Sequence, residues 1–273
     1  VRKGVLVTPG KAVDLARFAP DGRLGITDQE EAERIAAVAG ERMAEHGTRL
    51  AADGRRSLLV VLQGMDASGK DGTVRKCIGV LNPMMVRIAA FKAPTSQELA
   101  HDFLWRIARE IPARGQVGVF NRSHYEDVLV VRVESLVPES TWRPRYEAIN
   151  AWESNLANEG TTIVKLFLHI SKEEQAERFL KRLEDPRKNW KFSPDDIAKR
   201  ERWDDYMEAY REMLERTSTR WAPWHVVPAD RKWVRDAVVS EILADTLVGM
   251  GLEYPPLDPE VERARGALAA RLE

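Results

Sequence analysis

The stretch Leu58 to Arg75, LLVVLQGMDASGKDGTVR, constrains the fold of this chain more than any other. A continuous apolar run leads into a glycine-punctuated turn and then a helical pattern, the order of strand, phosphate-binding loop and helix in a P-loop. Gly64, four residues, Gly69 and Lys70 supply the spacing. Glycine lets backbone N–H groups turn inward around an anion, the helix N-terminus adds its dipole, and Lys70 adds a mobile positive charge. Two positions depart from the usual pattern. Asp71 stands where Ser or Thr normally follows the lysine, and a carboxylate, Asp66, lies inside the loop. A carboxylate facing polyanions implies a metal, and Mg²⁺ prefers carboxylate and phosphate oxygens, which makes Asp66 a candidate ligand; the alternative is an aspartate that only shapes the turn.

With 273 residues and no long Gly/Ser or Pro-rich linker, one domain with a flap is expected. Charged residues make up 31% of the chain but nearly cancel, leaving a formal net charge of -1. No global field therefore marks a nucleic-acid or membrane binder, and any basic site must be local. The single cysteine, Cys77, excludes an internal disulfide and reads as a packing residue. No apolar stretch reaches membrane-spanning length or looks like a signal peptide, so the cytoplasm is the expected location.

Before the P-loop, residues 1–27 read as an arm, and Asp28 with Glu31 opens a helix that Asp53-Gly54 closes. After the P-loop helix, Asn82-Pro83 breaks the chain and MMVRIAAF reads as a second strand. Thr95 and Glu98 form a capping box for a helix through Leu99, Phe103, Leu104 and Ile107 that stops at Pro112. Gln116 to Asn121 is a third strand, TTIVKLFLHI a fourth whose unbroken apolarity suits a central parallel position, and APWHVVPAD a fifth. A helix bearing Tyr146, Ile149, Trp152 and Leu156 precedes the fourth strand. Another starts at Ser193-Pro194 and carries Trp203, Tyr206, Tyr210 and Met213 as core. Strands alternating with helices predict an α/β fold with a parallel five-stranded sheet and helices on both faces.

Two segments carry further chemistry. The third strand runs into NRSHYEDVLVVRV, where Arg122 can face a transferring phosphoryl group or simply pair with Glu126 or Asp127. His124 and Tyr125 read as packing residues first. A cluster of cations, Arg178, Lys181, Arg182, Arg187, Lys188 and Lys191, stands out in a charge-balanced chain and reads as a lid over phosphates, against the alternative of a solvated face.

Together, VLQGMDASGKDGT, KAPTSQELAHDFLWR, VGVFNRSHYEDVLVVRV, RFLKRLEDPRKNWKFSPDD and TSTRWAPWHVVPADRKW closely resemble the polyphosphate kinase 2 family over about residues 27–247. The resemblance implies a thymidylate-kinase-like P-loop kinase fold and transfer between inorganic polyphosphate and a nucleotide that depends on Mg²⁺ or Mn²⁺. It places Asp66 and Lys70 on the family's P-loop acid and lysine, Arg122 on its second-motif arginine, and Arg178 to Lys191 on its basic lid. Asn121 departs from the pattern where many members carry a metal-binding Asp. The wording NRSHYEDVLV is similar to the subgroup called class III, with members that phosphorylate both AMP and ADP.

On this reading the catalytic candidates are Asp66, Lys70, Asn121, Arg122, Glu126 and Arg178. Polyphosphate contacts fall on Ala67, Ser68, Gly69, Lys70, Lys181, Arg182, Lys188 and Lys191. Nucleotide contacts fall on Lys92, Pro94, Thr95, Arg122 and Tyr125, and the metal on Asp66. The expected organisation is an arm at 1–27, a P-loop kinase domain at 28–250 with its lid at about 178–200, and a tail at 251–273. The partners are polyphosphate, AMP, ADP and ATP, with no nucleic acid or membrane, in a homo-oligomer. The competing readings are an ATP-dependent nucleotide or small-molecule kinase, and a nucleotide-binding switch or scaffold without turnover. The chain lacks the NKxD base-reading motif of a GTPase-type switch.

Overall fold

Five apolar runs form five strands: β1 (Ser57–Gln63), β2 (Val86–Ala90), β3 (Val117–Asn121), β4 (Thr161–His169) and β5 (Trp224–Pro228). They make one parallel sheet in the order β2-β3-β1-β4-β5. The computed structural model describes residues 5–269, without the side chains of Lys191, Ala267 and Ala269, so the ends of the expected arm and tail lie outside the described residues. Every residue of β1 is buried. Because strand side chains alternate between the two faces, that burial requires cover on both, and helices provide it.

The order of the strands places the site. β1 lies between β3 and β4, with Leu62 opposite Asn121 and Gln63 opposite Phe167. The parallel strands β1 and β3 finish at the same end of the sheet, so the loop after Gln63 and the segment after Asn121 become neighbours. Open α/β sheets bind their ligands in the crevice that such a reversal of strand order creates.

The first long helix, Gln29–Asp53, begins and ends where its sequence signals stand. The Asp28 side chain accepts from the Glu31 N–H, and Gly54 caps the far end in the left-handed conformation, φ 61°. It packs on the helix Lys232–Gly249. The chain just before the fold proper lies along β5: Val226 N–H donates to Val5 O and Val7 N–H to Trp224 O. This covers an edge that would otherwise be open to another strand.

Two helices differ from expectation. The capping box of Thr95 and Glu98 is present, but the helix it starts is only Ser96–Leu99, and a second piece, Trp105–Ala108, follows. Asp102 explains the break, because its carboxylate accepts from the Leu104 N–H and competes with helical bonding. The segment from Pro194 likewise divides into Asp195–Glu201 and Trp203–Thr217 at Arg202. Trp203, Tyr206, Tyr210 and Met213 on the second piece are core, as their helical spacing implies. Among the described residues, no helix is long and apolar enough to cross a membrane.

Candidate active site

The loop from Gly64 to Lys70 is built as an anion cradle. Gly64 has φ 148°, and a Cβ there would lie 2.7 Å from Leu168 O. Gly69, at φ 105°, precedes the helix Lys70–Cys77, and Ala67 also takes a positive φ of 64°. The buried hydroxyls of Ser68 and Thr73 have no hydrogen-bond partner among the described residues. Orphaned donors beside a helix N-terminus suit an incoming phosphate. Lys70 folds back over the loop, its Nζ donating to Gly64 O at 2.6 Å and Met65 O at 3.2 Å. Burial lowers its pKa to about 8, although Asp66 pulls the other way.

Asp66 sits between two cations. Its Oδ1 accepts from Arg122 Nη2 at 2.6 Å, and its Oδ2 lies 3.8 Å from Lys199 Nζ. Burial opposes its charge, but Lys70, Arg122 and Lys199 outweigh it and hold the carboxyl below the usual range. Arg122 takes a positive φ of 63°, and burial of its guanidinium is offset by Asp66, which holds the pKa above the usual arginine value. Glu126 is tied to the end of β1. With the Gln63 amide oriented so that its oxygen accepts from Ser123 N–H, its nitrogen donates to Glu126 Oε1 at 3.0 Å.

The two departures from the usual pattern meet each other. Asn121 Nδ2 donates to Asp71 Oδ1 at 2.9 Å. β3 thus ends on an amide, and the carboxylate beside it comes from Asp71 on the P-loop helix.

Several expected site residues lie elsewhere. Tyr125 is fully buried, its hydroxyl donating to Glu153 Oε1 at 2.8 Å and accepting from Lys165 Nζ at 2.8 Å, so it cannot touch a nucleotide. Lys165 also donates to Glu153 Oε2 at 2.7 Å and Thr217 O at 2.6 Å, and His124 Nε2 lies 3.1 Å from Glu153 Oε1. This closed network braces the segment that carries Arg122. Arg178 does reach the cleft wall, but its donors are turned to the protein. Nε donates to Glu174, Nη1 to Ala67 O and Ser68 O, and Nη2 to Ala229 O and Asp230 O. All five of its N–H donors are thus committed to the protein, two of them to the loop carbonyls, which it holds in place. Pro94 and Thr95 are exposed and lie off the cleft wall, the Thr95 hydroxyl and N–H being used by the capping box. Lys92 does reach the wall, whereas Glu126 does not.

The cleft around the loop has a volume of about 1370 Å³ and is walled by twelve Lys and Arg side chains against five carboxylates. Pockets for drug-sized ligands span roughly 300–1,000 Å³, so this one has room for more than a single nucleotide. Lys181, Arg182 and Lys188 are on its wall, paired with Glu177 at 3.0 Å, Asp196 at 4.0 Å and Asp185 at 2.6 Å. The Lys191 side chain lies outside the described residues. Sequence reasoning missed Lys199 and a second basic edge made by Arg231, Lys232 and Arg235. The signal for that edge was legible: the helix Lys232–Gly249 opens on cations with no acid in its first turn, against the preference of the helix dipole.

Among the described residues, no three His, Cys, Asp or Glu side chains gather as a metal cage. Mg²⁺ seldom needs one, since it keeps water and binds through one or two carboxylates plus substrate phosphates. Asp66 inside the loop, with Asp71 nearby, fits that requirement.

The sequence pattern of polyphosphate kinase 2 (PPK2) matches residues 26–253. The chain is 47% identical over 258 residues to the AMP/ADP-polyphosphate phosphotransferase of Meiothermus ruber, covering 94% of this chain and 97% of that protein. It is 41% identical over 265 residues to the ADP-polyphosphate phosphotransferase of Rhodopseudomonas palustris, covering 93% and 92% of the two. The crystal structure of polyphosphate kinase 2 from Arthrobacter aurescens TC1 superposes with a TM-score of 0.90 at 45% identity, over 96% of this chain and 95% of that one.

Proposed function

The chain belongs to the polyphosphate kinase 2 family, and from that premise we propose that it transfers phosphoryl groups between inorganic polyphosphate and adenine nucleotides, converting AMP to ADP and ADP to ATP. The observation that carries this reading is the cation-walled cleft opening from the P-loop, large enough for a chain donor beside a nucleotide. The relatives' activities, named for polyphosphate with AMP or ADP, point the same way.

The chemistry asks little of the protein beyond placement and charge. The acceptor is a phosphate oxygen already ionised near neutral pH, so no strong base is needed. The bond between the terminal phosphorus and its bridging oxygen breaks, the electron pair stays on the shortened chain, and the acceptor oxygen forms the new bond. Lys70 and Arg122 neutralise the equatorial oxygens, the loop N–H groups orient them, and Arg178 keeps the loop in shape. We assign Mg²⁺ to Asp66, where the bound ion would neutralise phosphate charge. Lys181, Arg182, Lys188 and Lys191 take the polyphosphate, and Lys92 and Arg122 the nucleotide. The pairing of Asn121 with Asp71, and the hold of Gln63 on Glu126, are the features we connect with acceptance of both nucleotides. We place the protein in the cytoplasm as a homo-oligomer.

The test supplies Mg²⁺, long-chain polyphosphate and either AMP or ADP, with an adenylate kinase inhibitor present. Formation of ADP from AMP and of ATP from ADP is expected. No polyphosphate-dependent product from either rejects the activity, and product from ADP alone rejects the dual acceptor.

A further inference from the structure

Arg235 is an arginine of the cleft to which the P-loop chemistry gives no role. Its side chain is 96% buried, yet it lines the same cleft as Lys70. Asp236 Oδ1 accepts from its Nε at 2.9 Å and from Nη2 at 2.6 Å, which fixes the plane of the guanidinium. Its Nη1 has no hydrogen-bond partner among the described residues and lies over the α-carbon of Gly69. A Cβ on Gly69 would collide with that nitrogen, and one on Gly72 would come within 3.1 Å of Nη2. Two glycines at the mouth of the P-loop helix therefore leave the room that the guanidinium fills.

Arg178 supplies the contrast. It is buried beside the same loop with all five donors satisfied by protein oxygens. Arg235, anchored on one edge only, holds two N–H donors toward the cradle. Burying an arginine costs desolvation that is recovered only when its hydrogen bonds are made, and at Nη1 the acceptor has to come from the cleft, where an anion would also answer the guanidinium's charge. Arg231 and Lys232, next to Arg235 in the chain, line the same cleft, with Arg231 also paired to Asp21 at 3.7 Å. Several cations on one wall match an extended anion better than the short phosphate of AMP.

We propose that Arg235 is a polyphosphate-binding residue, its Nη1 donating to a phosphoryl oxygen of the donor chain where the chain crosses Gly69 and runs on toward Arg231 and Lys232. This rests on the polyphosphate reading above. When the P–O bond to the transferred group breaks, the bridging oxygen keeps the electron pair and the shortened chain gains negative charge. A fixed guanidinium on that chain favours the products of the cleavage without any proton transfer.

The test compares Arg235→Gln and Arg235→Lys with the parent protein in equilibrium binding of long-chain polyphosphate and in steady-state kinetics. Loss of a charged hydrogen-bond partner predicts that Arg235→Gln weakens polyphosphate binding and raises its KM by ~10- to 100-fold. The KM values for AMP and ADP should stay within about twofold, and Arg235→Lys should recover part of the loss. Thermal melting with and without polyphosphate separates binding from folding: a destabilised protein that still binds keeps its ligand-induced rise in Tm, whereas the proposal requires that rise to shrink. Unchanged polyphosphate binding in Arg235→Gln, or equal losses for polyphosphate and nucleotide, overturns the assignment while leaving the activity standing. A parent protein that does not bind polyphosphate overturns both.

Discussion

Lys70 should make donor binding depend on pH in a range where few other groups at the site titrate. Its pKa in the free protein is lowered to about 8, chiefly by burial. Phosphates brought against the ammonium favour its charged form and raise that pKa in the complex. The sign follows: affinity is fully present below the free-state value of about 8 and is lost as the pH rises through it. With such a pKa about nine-tenths of the lysine is charged at pH 7 and about one-tenth at pH 9, so affinity should fall ~10-fold across that interval. Asp66 titrates below this range and Arg122 above it, so neither contributes. The assay is equilibrium binding of long-chain polyphosphate at constant ionic strength from pH 6.5 to 9.5, run beside Lys70→Arg, whose charge does not titrate there. A flat profile in the parent protein, or the same decline in Lys70→Arg, would refute the reasoning.

Arg122→Ala should lower kcat about a hundredfold, ~3 kcal/mol of transition-state stabilisation, with little change in Tm; near-normal turnover removes its role. Neutralising Arg182, Lys188 and Lys191 together should weaken polyphosphate binding and flatten its dependence on salt, because fewer counterions are released, while nucleotide affinity changes less. Losses of the same size for both ligands would argue against a donor-specific lid. Lys165→Met strands the buried Glu153 carboxylate and should cost ~3–5 kcal/mol in denaturant unfolding; a loss below about 1 kcal/mol would mean that the network does not brace the fold. Asn121→Asp replaces the 2.9 Å hydrogen bond to Asp71 with like-charge repulsion, and adding Asp71→Asn should relieve it. Strictly additive effects on stability and activity in that cycle would show that the two positions are uncoupled.

The sequence carried the sheet and its loop well because each rests on short-range chemistry. Apolar runs, glycine spacing and the caps at Asp28 and Gly54 act within a few residues of where they are read. The order of the strands depends on which distant segments meet, and no local pattern encodes that. Side-chain direction failed to show for the same reason. Tyr125 follows Arg122 closely in sequence but turns inward to Glu153 and Lys165, partners 28 and 40 residues away. Arg178 belongs to a cationic cluster by sequence, yet its acceptors are loop and strand-end carbonyls brought near only by folding. Lys199 and Arg235 were hidden in ordinary helical charge patterns. For Arg235 the clue was present, since cations at a helix start need a reason outside the helix.

The position of β1 also sets a timetable for synthesis. β1 is the first strand to be made, but its two partners are β3 and β4, so the P-loop strand has no neighbour until Asn121 has emerged and is not enclosed until His169 has. At ~5–20 residues per second, a nascent chain holds an unpaired strand with an apolar centre for several seconds or longer. Parallel pairing across such separations is slow even once the partners exist. The ribosome-bound chain is therefore most open to aggregation and chaperone capture between the synthesis of Gln63 and that of His169, well before the cleft can bind anything.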